Sequence, residues 1–154
     1  MEITIVKGNF EHLKDCVEAV VDSEMGRVYY PTTEIAEEVL LEGFANNEVY
    51  VGQDGNFECV GFIWYAPRKM FYKLPYVRTI AVRNKFRGRG IGKKLLSLIE
   101  TMAFNNYSKL FLTYSDFNER AGKLYEKLGY KEICVIPDLF KEGVAEHVMM
   151  KLRE

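Results

Sequence analysis

The sequence predicts an α/β fold with a mixed, mostly antiparallel central sheet and helices on both faces, in the order β-α-α-β-β-β-α-β-α-β-β. Three observations lead there. Two β-rich runs flank "QDGN" (53–56), where Asp-Gly suits the tight turn of a hairpin. A strand, a glycine-rich loop and an amphipathic helix then follow one another, as do a second strand and helix, which is the pattern of helical crossovers. Two further β-rich runs close the chain. Hairpins mixed with crossovers argue against a pure doubly wound sheet.

Each element has a local reason. "ITIVK" (3–7) carries the β-branched residues of a strand. Asn9 can cap a helix over about 10–23, with Leu13, Val17, Val20 and Val21 at helical spacing. "GRVYYPTT" (26–33) breaks that pattern with Gly and Pro, and Thr32 or Thr33 can cap a second helix near 34–45. The hairpin over 48–66 comes next, then the strand "YVRTIAV" (76–82) and a helix over about 90–104 with Ile91, Leu95, Leu98, Ile99 and Met102 on one face. "KLFLTYS" (109–115) is a strand, and 118–129 is a helix ended by a glycine. "YKEICVI" and "EHVMMKL" are the closing strands.

At 154 residues the chain fits a single domain, 1–154, and 48% hydrophobic residues against 28% charged suffice for a core and a polar surface. No apolar run approaches the about 18–20 residues needed to cross a membrane. The N-terminus has an acid at position 2 and no signal-peptide pattern, so a cytoplasmic location is expected. Cys16, Cys59 and Cys134 form no CxxC pair and read as small core residues. His12 and His147 are too scattered for a metal cluster, so no metal is expected. The net charge of −1 hides an asymmetry. Nine acids lie between Glu11 and Glu42 against Lys14 and Arg27, while six bases and no acid lie between Arg83 and Lys94.

The basic stretch "VRNKFRGRGIGKKLL" (82–96) is the candidate anion site. It is not a dinucleotide fingerprint, because Gly88, Gly90 and Gly92 are spaced two and two and position 93 is Lys. It is not a Walker A loop, because Arg87 stands where the first glycine belongs and Lys94 where Ser or Thr belongs. A strand, a glycine loop and a helix start still make an anion cradle. The first helical N–H groups lack partners, the dipole favours negative charge there, and glycines admit a diphosphate to the backbone.

"RGRGIG" (Arg87–Gly92), after "TIAV" and before an amphipathic helix, resembles the R/Q-x-x-G-x-G/A motif of the GNAT superfamily, the GCN5-related N-acetyltransferases. "NERAGKLYEKLGY" (118–130) is similar to that family's second signature, N-x-x-A-x-x-x-Y-E-K-x-G-[FY]. The resemblance covers roughly 76–132 closely and the remaining element order more loosely. It implies a GNAT-like fold and an acetyltransferase, with acetyl-CoA as acyl donor and an amine as acceptor. It places the diphosphate on the backbone of Arg87, Gly88, Arg89, Gly90, Ile91, Gly92 and Lys93, and the pantetheine arm along Ile80, Ala81 and Val82. A main-chain N–H there, Val82 foremost, would polarise the thioester carbonyl. Asn118 would contact the coenzyme as well as cap its helix, and Tyr125, with a phenol pKa of about 10, would protonate the departing thiolate.

The resemblance also implies direct attack in a ternary complex. Some protein-acetylating members place a Glu on the strand twelve residues before the tyrosine; Thr113 stands there, which leaves a water relay, Glu24 or Asp116 as alternative bases. The acceptor is expected between the first two helices and the late hairpin loop, where Tyr29, Tyr30 and Phe140 could line a groove. Expected partners are a small-molecule or protein amine, with no nucleic acid and no membrane; homodimers are common for the fold. Two competing readings are a catalytically silent coenzyme A sensor and a nucleic-acid module using the basic loop at 83–94. The second is opposed by the confinement of the bases to one loop.

Overall fold

The computed structural model describes residues 1–154. Seven strands hydrogen-bond in the order β1-β2-β3-β4-β5-β7-β6. They are β1 (Thr4–Lys7), β2 (Val49–Gln53), β3 (Cys59–Met70), β4 (Leu74–Val82), β5 (Lys109–Ser115), β6 (Lys131–Lys141) and β7 (Val144–Leu152). The β4–β5 pair is parallel, while β1–β2, β2–β3, β5–β7 and β6–β7 are antiparallel. This is the expected mixed sheet.

The chain packs as two units: residues 1–65 with 79–99, and residues 66–78 with 100–154. The first unit holds α1 (Leu13–Val21), α2 (Glu24–Tyr29), α3 (Thr33–Ala45) and the first half of α4 (Ile91–Asn106). Its core gathers Cys16, Val20, Leu40, Phe44, Phe62 and Trp64 from α1, α3 and β3. Each such aliphatic or aromatic side chain contributes about 1.5–3 kcal/mol by leaving water. Trp64 keeps its ring N–H satisfied by donating to Glu48 Oε1 at 3.1 Å.

The second unit holds β5, α5 (Glu119–Lys127), β6 and β7. Leu110, Leu112 and Met149 are buried in it, and so is the Tyr130 ring, whose hydroxyl donates to Glu100 at 3.1 Å. Lys151 reaches the other Glu100 oxygen at 2.8 Å, so that carboxylate is doubly paired. Gly129, with φ of +97°, ends α5 in the left-handed conformation that glycine alone adopts without cost.

Several expectations shift in detail. The run 10–23 divides into a 3₁₀ turn (Phe10–His12) and α1, with Asn9 capping the turn by accepting from Glu11 N while the His12 ring accepts from Asn9 N. The supposed break at 26–33 contains the short helix α2, capped by Ser23, which accepts from Gly26 N at 2.9 Å. Gly26 fits there because a side chain would collide with the Val20 carbonyl. The second strand of the hairpin expected over 48–66 extends to Met70, and the chain turns through Phe71 and Tyr72, both left-handed. Cys16 and Cys59 are buried as expected, whereas Cys134 is exposed on β6, all but one of whose residues face solvent.

Candidate active site

The loop after β4 is built by its own cations. Arg83 is almost fully buried, and its backbone N–H donates to Val60 O at 2.9 Å. Its guanidinium donates to Glu58 Oε1 and Glu18 Oε2, both at 3.0 Å, and to the Cys59 carbonyl at 2.9 Å; Asp15 lies 3.8 Å away. Burial lowers the Arg83 pKa, but the surrounding carboxylates outweigh it and leave the group above its ordinary value. Lys85 pairs with Glu58 at 2.5 Å, and this pairing holds the Glu58 carboxyl below its usual range. Arg87 folds back, donating to Val82 O at 2.9 Å, Asn84 Oδ1 at 3.3 Å and Ala19 O at 3.4 Å. Arg89 reaches the Lys85 carbonyl and lies over the Phe86 ring. The positive run that looked like a polyanion surface is therefore largely spent on holding one loop in place.

What this loop presents outward is backbone. Gly88 and Gly90 are exposed with φ of +78° and +74°, and a Cβ at either would meet nothing within 4 Å. Their positive φ breaks the usual alternation of N–H directions and forms the kind of concavity that binds anions. Ile91 is buried and opens α4, and Gly92 lies against the Ile80 and Val82 side chains. Lys93 is exposed in the first turn of α4, where no acid stands. Ile80 and Val82 are partly buried and alternate with buried Ala81 along β4. The first unit thus brings together all the predicted residues from Ile80 to Lys93. Exposed backbone at Gly88 and Gly90, a helix start and the exposed Lys93 fit a diphosphate; the Arg87 N–H, expected to join them, is instead donated to Asn84 O at 3.2 Å.

Asn118 and Tyr125 lie in the second unit. Asn118 caps α5, with its side chain accepting from Ala121 N at 3.4 Å, so the capping role is present. Tyr125 is partly buried, its ring set edge-on to Tyr130 with centroids 6.0 Å apart. Burial, with the nearby Tyr76 phenol adding to it, pushes Tyr125 up to about 12. It therefore keeps its proton at neutral pH.

Tyr76 was missed by sequence reasoning. Its hydroxyl and Thr113 Oγ1 are 3.2 Å apart, so Thr113 enters the Tyr125 neighbourhood as a hydrogen-bonding group and not as a base. The available signal was the period of two in "YVRTIAV", which puts Tyr76 on the strand face of Ile80 and Val82. Among the alternative bases, both Asp116 oxygens are engaged, one by His147 Nε2 at 2.7 Å and one by Ala145 N at 3.2 Å. The His147 contact first of all holds that carboxyl below its usual range. An acid so stabilised as its anion is a poor proton acceptor.

A cavity of about 680 Å³ runs along α1 in the first unit, with Phe10, Leu13 and Val17 as apolar lining and Glu11, Asp22 and Glu37 among its carboxylates. Tyr29 and Tyr30 are partly buried nearby in sequence, at the end of α2, and Phe140 is exposed in the second unit.

The chain matches the model of the acetyltransferase (GNAT) family over residues 12–130. It is 29% identical over 143 residues to an uncharacterized N-acetyltransferase of Methanocaldococcus jannaschii, covering 89% of this chain and 84% of that one. Among solved structures, Ard1 from Thermoplasma volcanium superposes with a TM-score of 0.81 at 16% identity, covering 100% of this chain and 99% of that one. The PaiA N-acetyltransferase of Thermoplasma acidophilum, solved in complex with coenzyme A, superposes with a TM-score of 0.73 at 18% identity, covering 99% and 100%. Two ordered signatures, a glycine cradle at a helix start and the strand order agree with these likenesses: the chain belongs to the GNAT family and is an N-acetyltransferase that uses acetyl-CoA.

Proposed function

We propose that the chain passes the acetyl group of acetyl-CoA directly to a primary amine held in the same ternary complex. The observation that carries this is the pair of left-handed glycines, Gly88 and Gly90, with open backbone immediately before α4. The N–H groups of residues 88–93 and the Lys93 ammonium would hold the diphosphate, the Arg87 N–H being donated to Asn84 O at 3.2 Å, and Ile80–Val82 would run main chain to main chain with the pantetheine arm. Acetyl-CoA supplies an acyl group already activated as a thioester. The Val82 region offers an amide N–H to a carbonyl oxygen that gains charge. Tyr125 Oη holds the proton that a departing thiolate needs, and Asn118 secures the start of the helix carrying it.

Direct transfer is supported by the thiols. Cys16 and Cys59 are fully or nearly fully buried, so neither is presented as an acyl carrier, and Cys134 stands on the exposed β6. A cationic amine is supported by the carboxylates Glu11, Asp22 and Glu37 around the α1 cavity, against the single base Lys14. Calorimetry with acetyl-CoA, then turnover over a panel of primary amines followed by thiol release, tests this reading. Failure to bind the coenzyme refutes the site. A stable acetyl-enzyme found by mass spectrometry without amine refutes direct attack.

A further inference from the structure

His147 sits in an unusual setting within the second unit. Its Nε2 is 2.7 Å from Asp116 Oδ1, and its Nδ1 contacts Glu132 Oε1. Asp116 opens the connection from β5 to α5, Glu132 lies on β6, and β7 carries His147 between them, paired with Tyr114 on one side and Val135 on the other. The Tyr114 ring stacks on the imidazole, with centroids 4.4 Å apart and planes at 9°. The same ring touches α5 at Gly122, where a Cβ would come within 2.5 Å of the Tyr114 ring. One turn beyond Gly122 on that helix surface is Tyr125.

These contacts form one chain from β7 to α5. Burial alone would lower the His147 pKa, but the hydrogen bonds to Glu132 and Asp116 outweigh it, so the doubly protonated form persists to higher pH than in a free imidazole. Only that form donates from both nitrogens at once. The charged groups acting on the cluster are Glu132 from β6, Asp116 from the β5 end and, on Tyr114, Glu126 from α5. A surface ion pair has no need of a flat aromatic stack or of a glycine cut away to admit it.

We propose that His147 is a positioning residue for α5: clasped by Asp116 and Glu132, it holds the Tyr114 ring against Gly122 and so sets the helix that carries Tyr125. The catalytic side of this rests on the reading of Tyr125 as the acid; the structural side does not.

The test joins amide hydrogen exchange with kinetics, using the full chain. In His147→Gln, exchange of the α5 amides rises about tenfold, kcat falls, and KM for acetyl-CoA stays within about twofold. In the wild type, α5 exchange corrected for intrinsic rate rises with pH in step with the His147 imidazole ¹⁵N shifts, a measurement that needs no variant. Unchanged α5 protection in both experiments overturns the proposal. So does loosening that spreads equally to the strands of the first unit, which would mark a merely structural residue. If Tyr125→Phe leaves turnover unchanged while α5 still responds to His147, the acid assignment falls and the hold of His147 on α5 stands.

Discussion

Arg83 and Glu18 are 3.0 Å apart, guanidinium to carboxylate, and that contact ties the loop after β4 to α1. Residues far apart in sequence thereby fix the start of the loop proposed to hold the diphosphate. The same guanidinium holds Glu58 and the Cys59 carbonyl, so it joins three segments of the first unit.

Replacing Arg83 with Met is expected to cost about 1–3 kcal/mol, because the Cys59 carbonyl loses its donor and Asp15 and Glu18 lose a counter-charge, while Glu58 keeps Lys85. The figure stays modest because Glu18 and Glu58 are 54% and 38% exposed and water can take over. KM for acetyl-CoA should rise as the cradle loosens. Urea denaturation and initial rates check both effects; an unchanged KM would separate Arg83 from the cradle.

Gly88→Ala and Gly90→Ala meet no neighbouring atoms, so the cost is purely that of a left-handed backbone, about 1 kcal/mol each. Coenzyme affinity is expected to fall more than stability does. Calorimetry alongside thermal melts distinguishes this from a general weakening, in which both would fall together.

Tyr125→Phe removes one oxygen and leaves the ring packed. Turnover is expected to fall about a hundredfold, in the range of general acid catalysis, with coenzyme affinity nearly unchanged. Since Tyr125 is pushed up to about 12, the wild-type rate should show no loss from its ionisation between neutral pH and about pH 10. Rate profiles on wild type and variant check both statements.

The His147 clasp has a pH signature of its own. His147 is raised in the folded protein, so its stabilisation is full below the unfolded value of about 6.5 and is lost as pH rises through the folded value. Asp116 is lowered, so its share is present above the ordinary carboxylate value and lost as pH falls through the folded one. The stability gap between wild type and His147→Gln is therefore expected to be widest in mildly acidic solution and to narrow on the alkaline side. Urea midpoints across that range measure it; a gap independent of pH would count against the clasp.

Gly122→Ala should be more damaging than an ordinary helical Gly→Ala, which usually stabilises. The new methyl would collide with the Tyr114 ring, and such overpacking costs about 1–3 kcal/mol. Tyr114→Leu in the same chain should recover part of that loss, a coupling that a double-mutant cycle measures directly.

The sequence by itself determined the seven strands, four of the five helices, the caps at Asn9 and Asn118 and the Asn118–Tyr125 signature, narrowed the α3 cap to Thr32 or Thr33, and marked 87–93 as a candidate anion site. These rest on local rules: periodicity, cap chemistry and glycine spacing act over a few residues and are written consecutively in the chain. Tertiary structure alone decided what the charges do. Six bases within residues 83–94 read as a patch for a polyanion, yet Arg83 and Lys85 meet acids from α1 and from Glu58 just before β3, and Arg87 turns back on main-chain carbonyls. It also decided that Tyr76 and Thr113 share a hydrogen bond and that Asp116 is held by His147 instead of standing free. Such pairings join residues that are distant in sequence and adjacent only after the strands have paired. A spacing rule sees neighbours along the chain, and an ion pair or a hydrogen bond depends on neighbours in space.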